Sequence, residues 1–430
     1  MVEKPVYGGA FLTHAEGKAV FVPLALPGEE VRIRVTQSKS GYSTAELTEI
    51  LTPSPQRIAP LCPHFGPCGG CSYQHTGYDN QLVFKTAILR ETLERAGVPP
   101  PDAIATLSAN PWAYRNRIRL AFDPQCRPGY RGRKSHAVVP ILATPASVAS
   151  ANQQTSRVSA GACPIAAPLL LSAAQAAAAL LERVPANLRP HELQLFCDPA
   201  ETALLATFFT TEISELRFDS LAQALHERIP ALQSAQLAAG GRPGHPPRTL
   251  VRWGTDSLTY PAAGFAYRVD HGAFFQVNRW LIDGLVDAVT ANQHGAVAWD
   301  LFAGVGLFAR RLTASFENVV AVESAPPAVD ALEHNLRGTS GKSVRTTTLD
   351  FLRAAPNDIR PALIVVDPPR TGLGAETTAL LAERAAPTLV YVSCDPATLA
   401  RDLRALCASG YSLLSVTLAD LFPQTFHIET

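Results

Sequence analysis

Four short apolar runs in the C-terminal part of the chain limit its folding choices more than any other feature. They are AVAWDLF (296–302), NVVAVE (318–323), PALIVVD (361–367) and TLVYVSC (388–394), and helical stretches separate them. Strands that are apolar throughout must be covered on both faces, and their alternation with helices predicts a doubly wound, mainly parallel sheet from about 271 onward. Ligands of such sheets bind beyond the carboxyl ends of the strands. Those ends carry the chemistry here: the glycine loop after Asp300, then Glu323, Asp367 and Cys394.

The first run continues as Asp300-Leu-Phe302-Ala-Gly304-Val-Gly306-Leu-Phe-Ala309. Glycines after a strand let the backbone turn sharply and approach a ligand, while Glu323 can accept ribose hydroxyls at the end of the next strand. The spacing alone fits NAD or S-adenosylmethionine equally. Asp367-Pro-Pro-Arg370 leaves its strand through two prolines, which hold an acid and a cation rigidly at the ligand edge. That element suits a planar base beside a methyl donor better than hydride transfer. Ser393-Cys394-Asp395-Pro396 puts a thiol at the same edge, a nucleophile if Arg370 or Arg401 favours its thiolate. The tail, Asp420-Leu-Phe-Pro-Gln-Thr-Phe-His427-Ile-Glu429-Thr430, supplies three acid–base candidates in Asp420, His427 and Glu429. Its alternation predicts an ordered final strand with His427 and Glu429 on one face.

Eight cysteines in 430 residues are too few for a disulfide framework. Three of them crowd into Cys62-Pro-His-Phe-Gly-Pro-Cys68-Gly-Gly-Cys71, a pattern that points to a metal centre. Spacing does not separate zinc from iron–sulfur. The fourth ligand is open among Cys126, Cys163, Cys197 and His64.

Upstream, residues 1–55 read as short strands broken by Pro27-Gly28 and Ser40-Gly41, which predicts a small barrel of oligonucleotide-binding or SH3-like type. The spacing over 78–98 predicts an amphipathic helix ending at Gly97, and strands are expected near 114–122. An alanine-rich helix is expected near 166–184 and an exposed excursion over 238–248. Lys+Arg 37 balance Asp+Glu 37, so any nucleic-acid contact must come from local clustering. Residues 113–134 hold seven basic residues and one acid, with Trp112, Tyr114 and Tyr130 interleaved. Arg115, Arg117 and Arg119 would share one strand face and suit phosphate contact and stacking. No stretch approaches ~18 consecutive apolar residues and the start lacks a signal-peptide core, so we expect a cytoplasmic protein with no membrane segment.

With these elements in place, the chain resembles the RNA (uracil-5-)-methyltransferase family over nearly its whole length. The likeness is strongest to its TRAM-domain, iron–sulfur-containing branch acting on 23S ribosomal RNA. It is carried by CPHFGPCGGCSYQH, GACP, FFQVN, DLFAGVGLFA, DPPRTGL, SCDPATLARDL and FPQTFHIE. The resemblance implies an α/β architecture of three parts: a TRAM barrel at 1–55, a central α+β iron–sulfur domain at 56–270, and a Rossmann-like S-adenosylmethionine-dependent methyltransferase domain at 271–430. It implies Cys394 as nucleophile and Glu429 as the proton-abstracting base. Gln276, Phe302, Gly304, Glu323 and Asp367 match its cofactor positions, with Asp350 where such folds often meet the adenine. Cys62, Cys68, Cys71 and Cys163 match the ligands of a [4Fe–4S] cluster. The substrate would be ribosomal RNA, with transfer RNA as the alternative, and we read the protein as a monomer.

The implied chemistry follows from a weakness of uracil, whose carbon 5 cannot attack a methyl sulfonium unaided. A Cys394 thiolate adding to carbon 6 generates the nucleophile, and Glu429 removes the carbon-5 proton before elimination. The uridine must leave its stack to be reached. One departure stands out: many relatives have SCNP where this chain has SCDP, and an aspartate beside the thiol would raise its pKa. The competing readings are a non-catalytic RNA-binding protein on the same fold, an amino-methylating enzyme, and an NAD enzyme.

Overall fold

The computed structural model describes residues 1–142, 162–211, 217–240 and 247–430. Five strands, β1 (Val2–Val6), β2 (Ala10–Ala15), β3 (Lys18–Pro23), β4 (Glu30–Ser38) and β5 (Tyr42–Thr52), form one sheet in the order β1-β2-β3-β5-β4. Its apolar face buries Phe11, Val20, Val22, Leu26 and Ala45, and that core is shared with Tyr73 and Phe84 from outside the sheet. Phe11 meets both rings edge-on, at 6.0 and 5.7 Å between centroids. A buried carboxylate closes the seam: Glu29 takes Arg57 at 2.5 Å and the amides of Leu26 and Ser54. These donors hold its pKa below the usual carboxylate range against the effect of burial.

Helix α1 (Tyr78–Arg95) follows the cysteine loop. Gly97, at φ +74°, ends it, with the Val98 amide returning to Leu93 O at 3.0 Å in a Schellman-type closure. Strand β6 (Ala105–Leu107) comes next. A seven-stranded sheet is built from β7 (Arg117–Phe122), β8 (Pro128–Arg131), β9 (Val138–Pro140), β10 (Glu192–Cys197), β11 (Leu204–Thr210), β12 (Leu232–Ala239) and β13 (Arg248–Gly254). Helices α2 (Pro168–Leu181) and α3 (Phe218–Arg228) bury their apolar stripes against it. The centre of the excursion expected over 238–248, residues 241–246, lies outside the described residues, as does Gly161 of GACP.

The basic run does not present a free cationic face. Arg115 lies over the rings of Tyr114 and Phe422, Arg117 covers Phe196 at 4.2 Å, and Arg119 covers Phe209 at 4.1 Å while pairing with Glu192. Arg127 pairs with Asp123, Arg131 with Glu192, and Arg133 donates to the carbonyls of Gly66 and Cys71. Strand alternation correctly groups Arg117 and Arg119: both lie on an aromatic floor, Arg119 with about half of its side chain exposed.

A hairpin of β14 (Ser257–Ala262) and β15 (Phe265–Asp270) leads through α4 (Ile282–Thr290) into the parallel sheet. That sheet comprises β16 (Gly295–Leu301), β17 (Phe316–Glu323), β18 (Gly341–Arg345), β19 (Leu363–Val366) and β20 (Thr388–Tyr391), ordered β18-β17-β16-β19-β20. Helices α5 (Leu307–Leu312), α6 (Pro326–Leu336), α7 (Thr348–Ala354), α8 (Ala375–Arg384) and α9 (Pro396–Ala408) alternate with the strands. The winding reverses on either side of β16, which opens the crevice for ligands at its carboxyl end. Strand β21 (Thr417–Ala419) pairs in parallel with β6, tying the end of the chain to the segment after α1. No helix among the described residues is long and apolar enough to cross a membrane.

The expected final strand is absent. Residues 420–430 run as turns and extended pieces, with one isolated bridge between Ala419 and Glu429. Gln424, at φ +68°, breaks the extended backbone that strand alternation would require.

Candidate active site

The carboxyl ends of β16, β17 and β19 form one half of the site. Phe302 (φ +64°), Gly304 (φ +56°) and Gly306 (φ +89°) turn the chain from β16 into α5. A Cβ on Gly304 would meet nothing within 4 Å, whereas one on Gly306 would lie 2.7 Å from Leu332. The first glycine therefore faces open space suited to a ligand, and the second serves close packing. Glu323 accepts from the Gly304 amide at 2.9 Å and from the amides of Ser324 and Ala325 at 2.7 Å. It thus braces the loop it faces.

Asp300 is a feature the motif contained but sequence reasoning did not single out as a site residue. It is fully buried; one carboxylate oxygen takes the Ala309 amide at 2.8 Å and the other has no partner among the described residues. Burial pushes its pKa up to about 8, with Asp367 and Glu323 adding repulsion. Burial alone raises Asp367 to about 7. Gln276 is buried, with its carbonyl taken by Asn116 at 3.0 Å. Asp350 donates its amide to the Thr347 hydroxyl that caps α7, accepts that hydroxyl at 2.7 Å and pairs with Arg353 at 3.6 Å. Its carboxylate is mostly exposed.

The other half is assembled from β20 and the chain's end. Ser393 and Thr430 exchange amide–carbonyl bonds of 2.9 Å in both directions, and the Ala419 amide donates to Glu429 O at 2.9 Å. Cys394 and Glu429 are brought together by this pairing. Cys394 is raised to about 11, chiefly by burial and then by the Glu429 and Asp367 charges, against the lowering pull of Arg370. Glu429 is held well above the carboxylate range by burial and by Asp367, against the lowering pull of Arg370 and Lys85. Arg370 is therefore the cation that serves the thiol. Arg401 is committed to Asp402 and to the Thr371 carbonyl.

Asp395 behaves differently from expectation. One of its oxygens caps α9 by accepting from Ala397 and Thr398, and the other accepts the Tyr7 hydroxyl at 3.2 Å. The carboxylates that raise Cys394 are Glu429 and Asp367 instead. Asp420 is likewise removed from the acid–base set, since fully buried Lys85 pairs with it at 2.5 Å. His427 contacts Arg370 at 3.2 Å and packs on Phe422 and Phe426; burial and Arg370 lower its pKa to about 4.

A second cluster lies beyond the tail. Cys62, Cys68, Cys71 and Cys163 line one small cavity together with Phe65, Tyr130 and Ile141. Cys126 and Cys197 are buried elsewhere in the same core. The Gly70 amide donates to Cys68 Sγ at 3.4 Å, and a Cβ on Gly69 would come 2.9 Å from Arg131 O. Burial raises all four thiols, Cys71 to about 11 and Cys163 to about 12, so each stays protonated unless a positive centre joins them. Among the described residues, no three His, Cys, Asp or Glu side chains converge tightly enough for a single metal ion.

Comparison with known proteins adds four findings. Residues 253–430 match the family model for tRNA (uracil-5-)-methyltransferase, and residues 2–48 match the TRAM domain. The chain is 31% identical to the 23S rRNA (uracil(1939)-C(5))-methyltransferase of Chromohalobacter salexigens, covering 96% of this chain and 84% of the relative. It is 30% identical to an uncharacterized RNA methyltransferase of Thermotoga maritima, over 100% of this chain and 97% of the relative. In fold it superposes on the crystal structure of Pyrococcus abyssi tRNA (uracil-54, C5)-methyltransferase in complex with S-adenosyl-L-homocysteine. That match has a TM-score of 0.77 at 22% identity, covering 100% of this chain and 97% of that one.

Proposed function

Because the chain belongs to the RNA (uracil-5-)-methyltransferase family, we propose that it methylates carbon 5 of a uridine in 23S ribosomal RNA, with Cys394 as nucleophile and Glu429 as base. The observation that carries the assignment is the two-way pairing of Ser393 with Thr430, which sets the thiol and the carboxyl side by side. S-adenosylmethionine, when bound, supplies the electrophilic methyl group. Gln276, Phe302, Gly304, Glu323 and Asp367 would line its crevice, a reading supported by the open approach to Gly304. Asp350, spent on its helix cap, contributes least.

The protein's own groups account for the order of events. The Glu429 charge opposes ionisation of Cys394, so the two adjacent acids resist ionising together. Arg370 lowers both groups and so stabilises the Cys394 thiolate when it forms. Attack at carbon 6 forms the S–C bond and moves the ring's π pair onto carbon 5 and oxygen 4. Once carbon 5 has taken the methyl group the ring adduct is neutral, and the sulfur anion that opposed Glu429 is gone. Glu429 can then give up its own proton to solvent and, as carboxylate, accept the carbon-5 proton. The C–H pair rebuilds the double bond, and Cys394 leaves as thiolate. The TRAM sheet lies close by, since Tyr7 touches both Asp395 and Phe426, which suits RNA approaching from that side.

Cys62, Cys68, Cys71 and Cys163 line one cavity, and four cysteine thiolates are the donor set that a [4Fe–4S] centre takes. We assign Cys62, Cys68, Cys71 and Cys163 as ligands of a [4Fe–4S] cluster.

Ribosomal RNA is favoured over transfer RNA because relatives near 30% identity that span nearly the whole chain carry that specificity in their names, whereas the transfer-RNA likenesses are a family model over 253–430 and a fold at 22% identity. Tritium release from uridine-labelled 23S fragments and from transfer-RNA transcripts tests both readings. Release from the ribosomal substrate is expected. Release from transfer RNA alone transfers the assignment, and release from neither leaves only an RNA-binding protein.

A further inference from the structure

The tail that carries Glu429 is held by the segment that carries the cysteines. Three successive carbonyls are captured there: Phe422 O by Lys85 Nζ at 3.0 Å, Pro423 O by the Tyr114 hydroxyl at 3.0 Å, and Gln424 O by the amides of Ser72 and Tyr73 at 2.8 and 3.0 Å. Ser72 and Tyr73 are the first two residues after Cys71. Gln81, fully buried on α1, reads Gln424 twice, accepting its amide and donating to its side-chain oxygen, both at 2.9 Å. The same Gln81 amide group donates to Tyr73 O and Thr76 O at 3.2 Å, which fixes the turn that grips the tail.

Gln424 is buried at φ +68°, a conformation that a side chain with a Cβ adopts only when its surroundings impose it. The imposing contacts are those just named. Arg115 adds a second link, for it lies over the Phe422 ring and its charge acts on both Cys71 and His427.

We propose that the turn after Cys71, together with Gln81, is a clamp that holds Gln424 and thereby positions Glu429, so that the state of the cysteine pocket governs the catalytic tail. The proposal rests on reading Glu429 as the base. It makes Gln81 and Gln424 positioning residues that touch neither uracil nor methyl donor. A loosened tail should spare thiol addition, which needs only Cys394, and slow the proton abstraction that frees the enzyme.

Two variants test this, Gln81→Leu and Cys71→Ser, read by hydrogen exchange over 419–430 and by the fate of the covalent RNA adduct. In both, tail amides should exchange about tenfold faster or more, the cost of losing paired buried hydrogen bonds. Strands Gly295–Leu301 and Phe316–Glu323 should keep their protection. Adduct should form at the normal rate and decay at least about tenfold more slowly. Should Cys71→Ser fail to fold, Gln81→Leu decides alone. Unchanged tail protection in Gln81→Leu overturns the clamp. A looser tail with normal adduct decay overturns its positioning role, provided Glu429→Gln blocks decay. If Glu429→Gln turns over at full rate, the failure belongs to the base assignment.

Discussion

Ser393 and Thr430 exchange two backbone hydrogen bonds of 2.9 Å, locking the residue before Cys394 to the residue after Glu429. The two groups we assign as reacting, distant in sequence, thereby share one short piece of backbone pairing. Such pre-organisation is what a two-step mechanism needs, because sulfur and carboxyl must reach the same ring in turn.

Replacing Glu429 by Gln should leave thiol addition intact and stop proton removal. Turnover is expected to fall about 10²- to 10⁴-fold, the usual range for losing a general base, while a protein–RNA adduct accumulates. Deleting Thr430 should give a milder form of the same defect by removing the partner of Ser393. Gel-shifted covalent adduct and methyl incorporation measure both. A Glu429→Gln enzyme with normal turnover would remove Glu429 from the mechanism.

Cys394 should react slowly at neutral pH in the free enzyme. Its pKa lies near 11, so the thiolate fraction, and with it the rate of alkylation by iodoacetamide, should rise close to tenfold per pH unit from 7 to 10. Arg370 lowers that pKa. Arg370→Gln should therefore raise it and slow alkylation several-fold at any fixed pH below 10. Mass spectrometry of the Cys394 peptide supplies the rates. Faster labelling in the variant would mean that Arg370 shields the thiol rather than charging it.

Three of the proposed site residues were legible because each stands at the carboxyl end of a parallel strand, the edge where such sheets bind ligands. Glu323, Asp367 and Cys394 all stand at such ends. What holds the tail was not legible. Lys85 and Asp420 are 335 positions apart, and Gln81 and Gln424 are 343 apart; no periodicity announces a partner at that distance. Lys85 looks like one more polar residue on an amphipathic helix. The alternation of Phe426 and Ile428 suggested a strand because a pattern reports side-chain direction and not the left-handed backbone at Gln424. Alternation groups Arg117 and Arg119 on one face but says nothing of the aromatic rings on which they lie.

Lys85→Met should destabilise the fold by about 3–5 kcal/mol, since it strands a buried carboxylate. Both members of the pair are essentially inaccessible, at 0% and 1% exposure, with 2.5 Å between charged atoms. The double variant Lys85→Met/Asp420→Asn should regain much of the loss by removing the orphaned charge. Urea denaturation followed by tryptophan fluorescence compares the three proteins. A single variant within about 1 kcal/mol of the parent would show that water or another cation satisfies Asp420.

Protein purified without oxygen should be brown and hold about four iron atoms per chain, with acid-labile sulfide in equal amount. The argument is electrostatic. Four thiols raised by burial, two of them to about 11 and 12, cannot lose their protons together unless a strongly positive centre binds them. Cys163→Ser should accordingly lose most of the iron, and so should Cys62→Ser, Cys68→Ser and Cys71→Ser. Cys126→Ser and Cys197→Ser should retain it, because those thiols lie outside the cavity. Iron and sulfide analysis on each variant decides the ligand set. Colourless protein with one zinc per chain would replace the cluster by a single ion.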